Sequence, residues 1–547
     1  MRCIQIYVNL PGYISNVSFP YLHSRVATIS ECKMHPQSEP TVENSKNGTS
    51  KSGEKILNLL QLNELILFND RETKQSLKLN DPTRRLIYQG TLRHKAKKKE
   101  YKVFLLDHAM IITKPEVING RERLRLANHP TPIQLLQVSL EQSRASILGF
   151  IPLSRNKVRY QLCFSSHGKQ FNNEKPLKLL SPTISVAEAW VENVDAQRSV
   201  SRQSTEFNVF RLSQDMLMGH GQIKVNCATL YDNNQTIAYG TDDGVYFQPR
   251  NAQPRKAIDL TDVQQIDVLE DLSLLVVLAE RSVFTFPLDA LDQFDRVNRM
   301  TRVTRGVASF LKSGTCMGQT MLCIVKTASL SSTVRILVSS GSLAKPDLNR
   351  KVKTSSADKA DKLKTYKEFY LPAELYSVHF LKTKLCVGGS TGFQVVDLET
   401  LDTQVLLDPA DNALSFMKQY KNPCPLGLYR IKGDFLVCYR ELAFYVNKTG
   451  WKSEKDVIIH WEGSPTACAL HYPYIIGFSS EFVEIRHVDD GSLVQVIHKT
   501  GVRCLYTKSS PLWVNAEDHV PHSSSWLETS ILISTRDKVM FLTSASD

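Results

Sequence analysis

Seven times between residues 236 and 542 an apolar run of strand length meets a short polar turn and a second, alternating run. The clearest copies start at Thr236, Leu274, Lys384, Phe435, Tyr474 and Ile531, with a weaker one from Met321 to Leu337. Each reads as a β-hairpin. Their turns lie 38 to 59 residues apart, close to the about 40 to 45 residues that a four-stranded propeller blade needs, with the surplus held in loops. The Lys-rich stretch Ser340 to Glu368 and the Ser-, Pro- and His-rich stretch Ser509 to Glu528 read as such insertions. The apolar first run of each hairpin suits the inner part of a blade. No single blade buries both faces, so neighbours must stack, and closing the ring leaves only short edges. A pair of β-sandwiches is the alternative architecture.

A second pattern precedes the repeats. Short strands are expected at Leu86 to Leu92, Lys102 to Leu106, Ala109 to Thr113, Ile133 to Val138, Tyr160 to Phe164 and Pro176 to Leu180. The segment Ser185 to Gln197 follows, with Ala187, Trp190, Val191 and Val194 on one helical face. Several strands and one amphipathic helix describe a small β-barrel plugged by that helix. Arg198 to Glu206 reads as a linker. Ahead of the barrel, Ile56, Leu59, Leu60, Leu62 and Leu65 form a helical stripe within Glu54 to Asp70. Residues 1 to 53 lack periodicity and are rich in Ser, Asn, Lys, Glu and Pro toward their end, the composition of a disordered segment.

Charge changes this picture in one place. The chain carries a formal +12, and Arg85 to Arg125 alone holds eleven Lys or Arg against four Asp or Glu. Arg93, Lys95, Lys97, Lys98, Lys99 and Lys102 fall in and beside the first hairpin loop of the barrel; Arg121, Arg123 and Arg125 fall in a later loop around Asn119 and Gly120. Two basic loops at one mouth suit an anionic phospholipid headgroup, each cation contributing on the order of 1 kcal/mol near an anionic surface. Nucleic acid is not expected, because aromatic side chains are not interleaved with these bases. The eleven cysteines form no C-x-x-C pair, and several sit in apolar strands, where they read as small hydrophobes. No apolar run approaches membrane-spanning length, and no secretory leader is expected at Met1. A cytoplasmic protein is the expectation.

Little catalytic chemistry is legible. No phosphate-loop, dinucleotide, zinc-protease or nucleophile-elbow motif occurs. Gly388 to Gly392 lies between two strands and reads as a hairpin turn. His460 with Glu462, and His519 with His522, read as surface residues rather than metal ligands. No cofactor, metal or catalytic residue is expected.

The run Leu60 to Asp70, followed by Leu77-Lys-Leu-Asn-Asp-Pro-Thr-Arg-Arg-Leu-Ile-Tyr-Gln-Gly-Thr-Leu92, resembles the passage from a Dbl-homology domain into a pleckstrin-homology (PH) domain. Phe207 to Leu212, Ile223 to Tyr231 and Tyr239 to Tyr246 resemble the opening of a citron-homology (CNH) domain. That order is similar to fungal Rho-type guanine-nucleotide exchange factors. The resemblance implies a mainly β chain: residues 54–81 as a remnant of the last Dbl-homology helix and linker, 82–200 as a PH barrel with a C-terminal helix, and 201–547 as a seven-bladed CNH propeller. It implies a regulatory, non-catalytic role in Rho GTPase signalling, peripheral at the plasma membrane. The partners would be a Rho-type GTPase, anionic lipid held weakly, and a further protein on the propeller. The exchange bundle itself is largely missing, so no exchange activity is expected of this chain alone. PH domains that bind phosphoinositides often carry a base two positions before that of Lys102; here that position is Glu100. The alternative is a non-exchange CNH adaptor in a kinase or vesicle-tethering pathway.

Overall fold

The computed structural model describes residues 57–94, 99–143, 159–169, 175–203, 209–212, 224–250, 252–290, 299–304, 306–341, 362–507, 531–535 and 538–544. The entry segment is not the single helix that its stripe predicts. Helix α1 spans only Leu59–Leu65, opened by a capping box between Asn58 and Gln61. The chain then extends into strand β1 (Ile66–Leu67), and a second short helix, α2 (Arg71–Leu77), starts at the Asp70 cap. The reason is tertiary. Leu57, Leu62, Ile66, Leu77 and Leu79 must reach one apolar cluster on the barrel wall, with Phe104, Ile111 and Leu124. A straight helix of that length cannot lay all of them on one wall, whereas two short helices joined by an extended corner do. Leu60, counted in the stripe, is 63% exposed.

The barrel follows as β2 (Leu86–His94), β3 (Glu100–Leu106), β4 (Ala109–Ile118), β5 (Arg121–Leu126), β6 (Thr131–Pro132), β7 (Leu136–Ser143), β8 (Arg159–Ser166), β9 (Leu177–Ser181) and α3 (Ile184–Gln203). The strands meander in the order β5-β4-β3-β2-β9-β8-β7, with β1 added beside β5 in parallel and β6 paired to the start of β4. The plug is α3. Its Ala187, Trp190 and Val194 are buried among Val103, Leu105, Leu162 and Phe164. Trp190 meets Tyr88 edge-on at 4.8 Å and Phe164 at 6.1 Å. The helix continues to Gln203, through the first two thirds of the expected linker.

Seven four-stranded antiparallel sheets form the propeller. Blades I to VI occupy residues 225–258, 263–302, 310–371, 375–405, 425–460 and 467–498. Blade VII combines strands between 503 and 544 with Phe210–Leu212, which pairs with Val539–Ser544 as its outermost strand. The ring is therefore latched by a strand from before blade I. Gln495 of blade VI holds that strand: its amide accepts from Phe210 N–H at 2.9 Å and donates to Phe210 O at 2.7 Å.

Each interface between neighbouring blades has its own apolar cluster. Leu274–Ala279 in blade II shows how. Leu275, Val277 and Ala279 face blade I, while Leu274, Val276 and Leu278 face blade III. The pleat sends alternate side chains to opposite neighbours. Between blades VII and I the same role falls to Leu532, Val539 and Phe541 against Leu230, Ile237 and Tyr239. The hairpins legible in the sequence are the second and third strands of each blade, not the innermost. The innermost strands, such as Val225–Tyr231 and Val263–Leu269, precede them and neighbour one another around the axis. In blade III the outer strand is Leu363–Leu371, which begins within the stretch Ser340 to Glu368 expected to be a loop. Ser509 to Glu528 lies outside the described residues. Seven of the described cysteines are buried, and all nine are free thiols.

Candidate functional site

The basic end of the barrel is built by two hairpins. β2 and β3 close where His94 N–H donates to Lys99 O at 2.9 Å. β4 and β5 close at Asn119 and Gly120, with φ of 50° and 73°; both central residues are left-handed, as a two-residue type I′ turn requires. The segment Arg121–Leu126, expected to be a loop, is thus a strand. It alternates, with Leu124 and Leu126 buried and Arg121 and Arg125 exposed.

Among the described residues Arg93, Lys99, Lys102, Arg121, Arg123 and Arg125 lie on these two hairpins, and carboxylates meet several of them there. Arg93 donates to Glu100 at 2.6 and 2.9 Å. Lys102 lies 2.6 Å from Glu122, and Arg125 lies 2.9 Å from Glu116. Arg123 donates to Glu64 O at 2.5 Å, which fastens α1 to the barrel rather than facing a ligand. Lys99 and Arg121 are exposed. Lys95, Lys97 and Lys98 lie outside the described residues. Glu100 therefore does more than replace a base: it occupies the neighbouring arginine.

A second site was not legible beforehand, the junction of barrel and propeller. The outer strand of blade VI, Leu493–His498, is an edge with free backbone groups. Gln134, in the turn between β6 and β7, completes part of it. Its carbonyl oxygen accepts from Val496 N–H at 2.7 Å, its amide donates to Val494 O at 3.4 Å, and its backbone oxygen lies 2.9 Å from the His498 ring. His167 stacks edge-on against His498 at 5.5 Å. On α2 and just after it, Arg71 pairs with Asp456 at 3.0 Å and Lys78 with Asp490 at 2.8 Å. Burial raises the Asp490 pKa, but hydrogen bonds from Lys78 and Ser492 outweigh it and hold the group at about 2.

The turn after β8 enters the same junction. Lys169 N–H donates to Glu462 O at 2.7 Å. A Cβ on Gly168 would press on a Glu462 carboxylate oxygen, so this approach leaves little room for a side chain. Glu462 is 3% exposed. Burial, and then the charge of Glu484, push its carboxyl up to about 8. Glu484 is buried too, but well partnered. It accepts from the backbones of Glu462 and Gly463 at 3.0 and 3.2 Å, and from Arg486 at 2.5 Å. Such a pair is costly to break from one side. The chemistry here is structural: one charged pair and one neutral carboxylic acid beneath a docked loop. Among the described residues no cluster of three metal-ligating side chains occurs.

Comparison with known proteins matches residues 233–508 to the model of the CNH domain. The chain belongs to the CNH-domain family. Residues 86–151 match the model of the pleckstrin homology domain. The Rho1 guanine nucleotide exchange factor 1 of Schizosaccharomyces pombe is 34% identical over 487 residues, 84% of this chain and 36% of that protein. The RHO1 GDP-GTP exchange protein 2 of Saccharomyces cerevisiae is 25% identical over 498 residues, again 84% of this chain and 36% of that protein. The CNH-family chain thus spans little more than a third of the length of these relatives. Among solved structures, the AfRom2 CNH domain is 33% identical, covering 60% of this chain and 98% of that one at a TM-score of 0.49. This CNH-family chain is homologous to Rho1 exchange factors, a family of GTPase regulators. No helix among its described residues is long and apolar enough to cross a membrane.

Proposed function

We infer that the chain is a regulatory and binding unit of a Rho guanine-nucleotide exchange factor, acting in small-GTPase signalling without catalysing exchange itself. The observation that carries this reading is the barrel docked on blade VI, within a stretch that is similar throughout to Rho1 exchange factors. A shared junction of that kind supports one unit serving two contacts. The barrel supplies peripheral attachment to the cytoplasmic face of the plasma membrane, through the end bearing Lys99 and Arg121, with Arg93, Lys102 and Arg125 held there by carboxylates. The propeller supplies a protein-binding ring, with a Rho-type GTPase as the partner class.

The neutralised cations favour weak, non-stereospecific attraction to anionic lipid over a phosphoinositide pocket. Sedimentation of the full chain with vesicles tests this. Binding is expected with phosphatidylserine, with little preference among phosphoinositide isomers. Equal pelleting with neutral and anionic vesicles contradicts it.

A further inference from the structure

The β4–β5 hairpin outruns its neighbour. The last β3 partner of β4 is Thr113, opposite Lys102, whereas β4 and β5 stay paired from Thr113↔Leu126 to Ile118↔Arg121. Beyond Thr113, β1 still flanks β5 at Leu124 and Arg125, so the two-stranded arm is the last three residue pairs, Glu116↔Arg123 to Ile118↔Arg121, roughly 10 Å long. Its tip is apolar: Val117 is 76% and Ile118 38% exposed. Val117 and Ile118 precede the Asn119-Gly120 turn directly. Across the hairpin Arg121 stands opposite Ile118 and Glu122 opposite Val117, both exposed, and Lys99 lies at the mouth of the adjoining hairpin. Lys114 lies over the Tyr101 ring at 5.9 Å.

We propose that Val117 and Ile118 are a membrane anchor that inserts into the headgroup region of an anionic bilayer, with Arg121 and Lys99 on the phosphates. This rests on the membrane-association reading above and assigns its anchoring residues. Two exposed apolar residues next to a turn, with Arg121 beside them and Lys99 on the adjoining hairpin, suit a bilayer surface. Aliphatic groups gain by leaving water, while cations stay at the anionic layer. The ion pairs strengthen the case. With Glu100, Glu122 and Glu116 facing Arg93, Lys102 and Arg125, headgroup attraction at this end is reduced, and apolar insertion supplies what charge does not. The placement also leaves the tip uncovered. The start of β4 pairs with β6, two residues from the Gln134 clamp on the propeller. Met110 to Ile118 spans roughly 26 Å of strand, so the arm points away from that junction.

The test is sedimentation of the full chain with vesicles of about 30% phosphatidylserine, at about 0.1 M and 0.5 M salt. Wild type is expected to bind at low salt and to keep part of that binding at high salt. The double variant V117S/I118S, uncharged and exposed, should bind about tenfold more weakly and lose all binding at high salt. V117W should bind several-fold more tightly, because tryptophan favours the interface, and a merely damaged hairpin would not give that gain. Soluble inositol hexakisphosphate should not displace the wild type. Unchanged binding by V117S/I118S, or full displacement by the soluble polyphosphate, overturns the anchor and leaves peripheral attachment standing. No binding of the wild type to any vesicle overturns both.

Discussion

Glu462 shows what one buried side chain does to the pH response of the junction. Its carboxyl titrates at about 8 in the folded chain, above the ordinary value of 4.5. The folded state therefore holds a proton that the unfolded state releases at neutral pH. Its stabilising share is complete below about 4.5 and is lost as pH rises through about 8. Glu462→Gln keeps the shape and removes the titration. Melting curves from pH 5.5 to 8.5 should show wild type losing several degrees as the pH rises, and the variant losing less, with the gap widest at the alkaline end. Parallel curves for the two proteins would contradict this. The lysine above it reports the same environment: burial lowers the Lys169 pKa, against the pull of Glu441, Glu484 and Glu462.

Among elements, legibility followed burial. A strand with both faces buried reads as an unbroken apolar run, and Leu274–Ala279 or Leu442–Val446 shows little else. These central hairpins gave the count of seven. The flanking strands did not stand out. Thr403–Val405 at the outer edge of blade IV is wholly exposed, and the inner strand Val263–Leu269 mixes buried with half-buried positions. On the barrel, Arg121–Leu126 passed for a loop because its bases hid the buried Leu124 and Leu126. The Asn119-Gly120 pair was the signal that could have found it. The Gln134 clamp carries no pattern at all. It is one amide in a turn that meets a strand more than 350 residues later. Replacing it, Gln134→Ala, leaves Val496 N–H and Val494 O without the amide. It should cost about 1–3 kcal/mol at the junction. Hydrogen exchange should then speed at residues 494–498 and in the β6–β7 turn while the β3–β4 pairing keeps its protection. Uniform loss of protection over the whole chain would instead mark the clamp as essential to the fold.

At the scale of the molecule, the resemblance read from Leu60 to Leu92 set the order of barrel and propeller. Composition did not foresee that blade VI would hold the barrel through Gln134 and Lys78, and the link between blades V and VI through Lys169. Nor did the basic run between Arg85 and Arg125 reveal that Glu100, Glu116 and Glu122 would fold back on it. Sequence counts charges, while cross-strand register decides which of them meet. The described residues present a hairpin with Val117 and Ile118 near its turn, and a ring of seven blades.

We propose that this unit binds and positions, and does not itself release nucleotide. The most direct test follows fluorescent GDP leaving a Rho-type GTPase with the full chain in excess, on anionic vesicles. Release at the intrinsic rate of the GTPase, from a chain that nonetheless pellets with the vesicles, is the predicted result. Clear acceleration over the GTPase alone would contradict it.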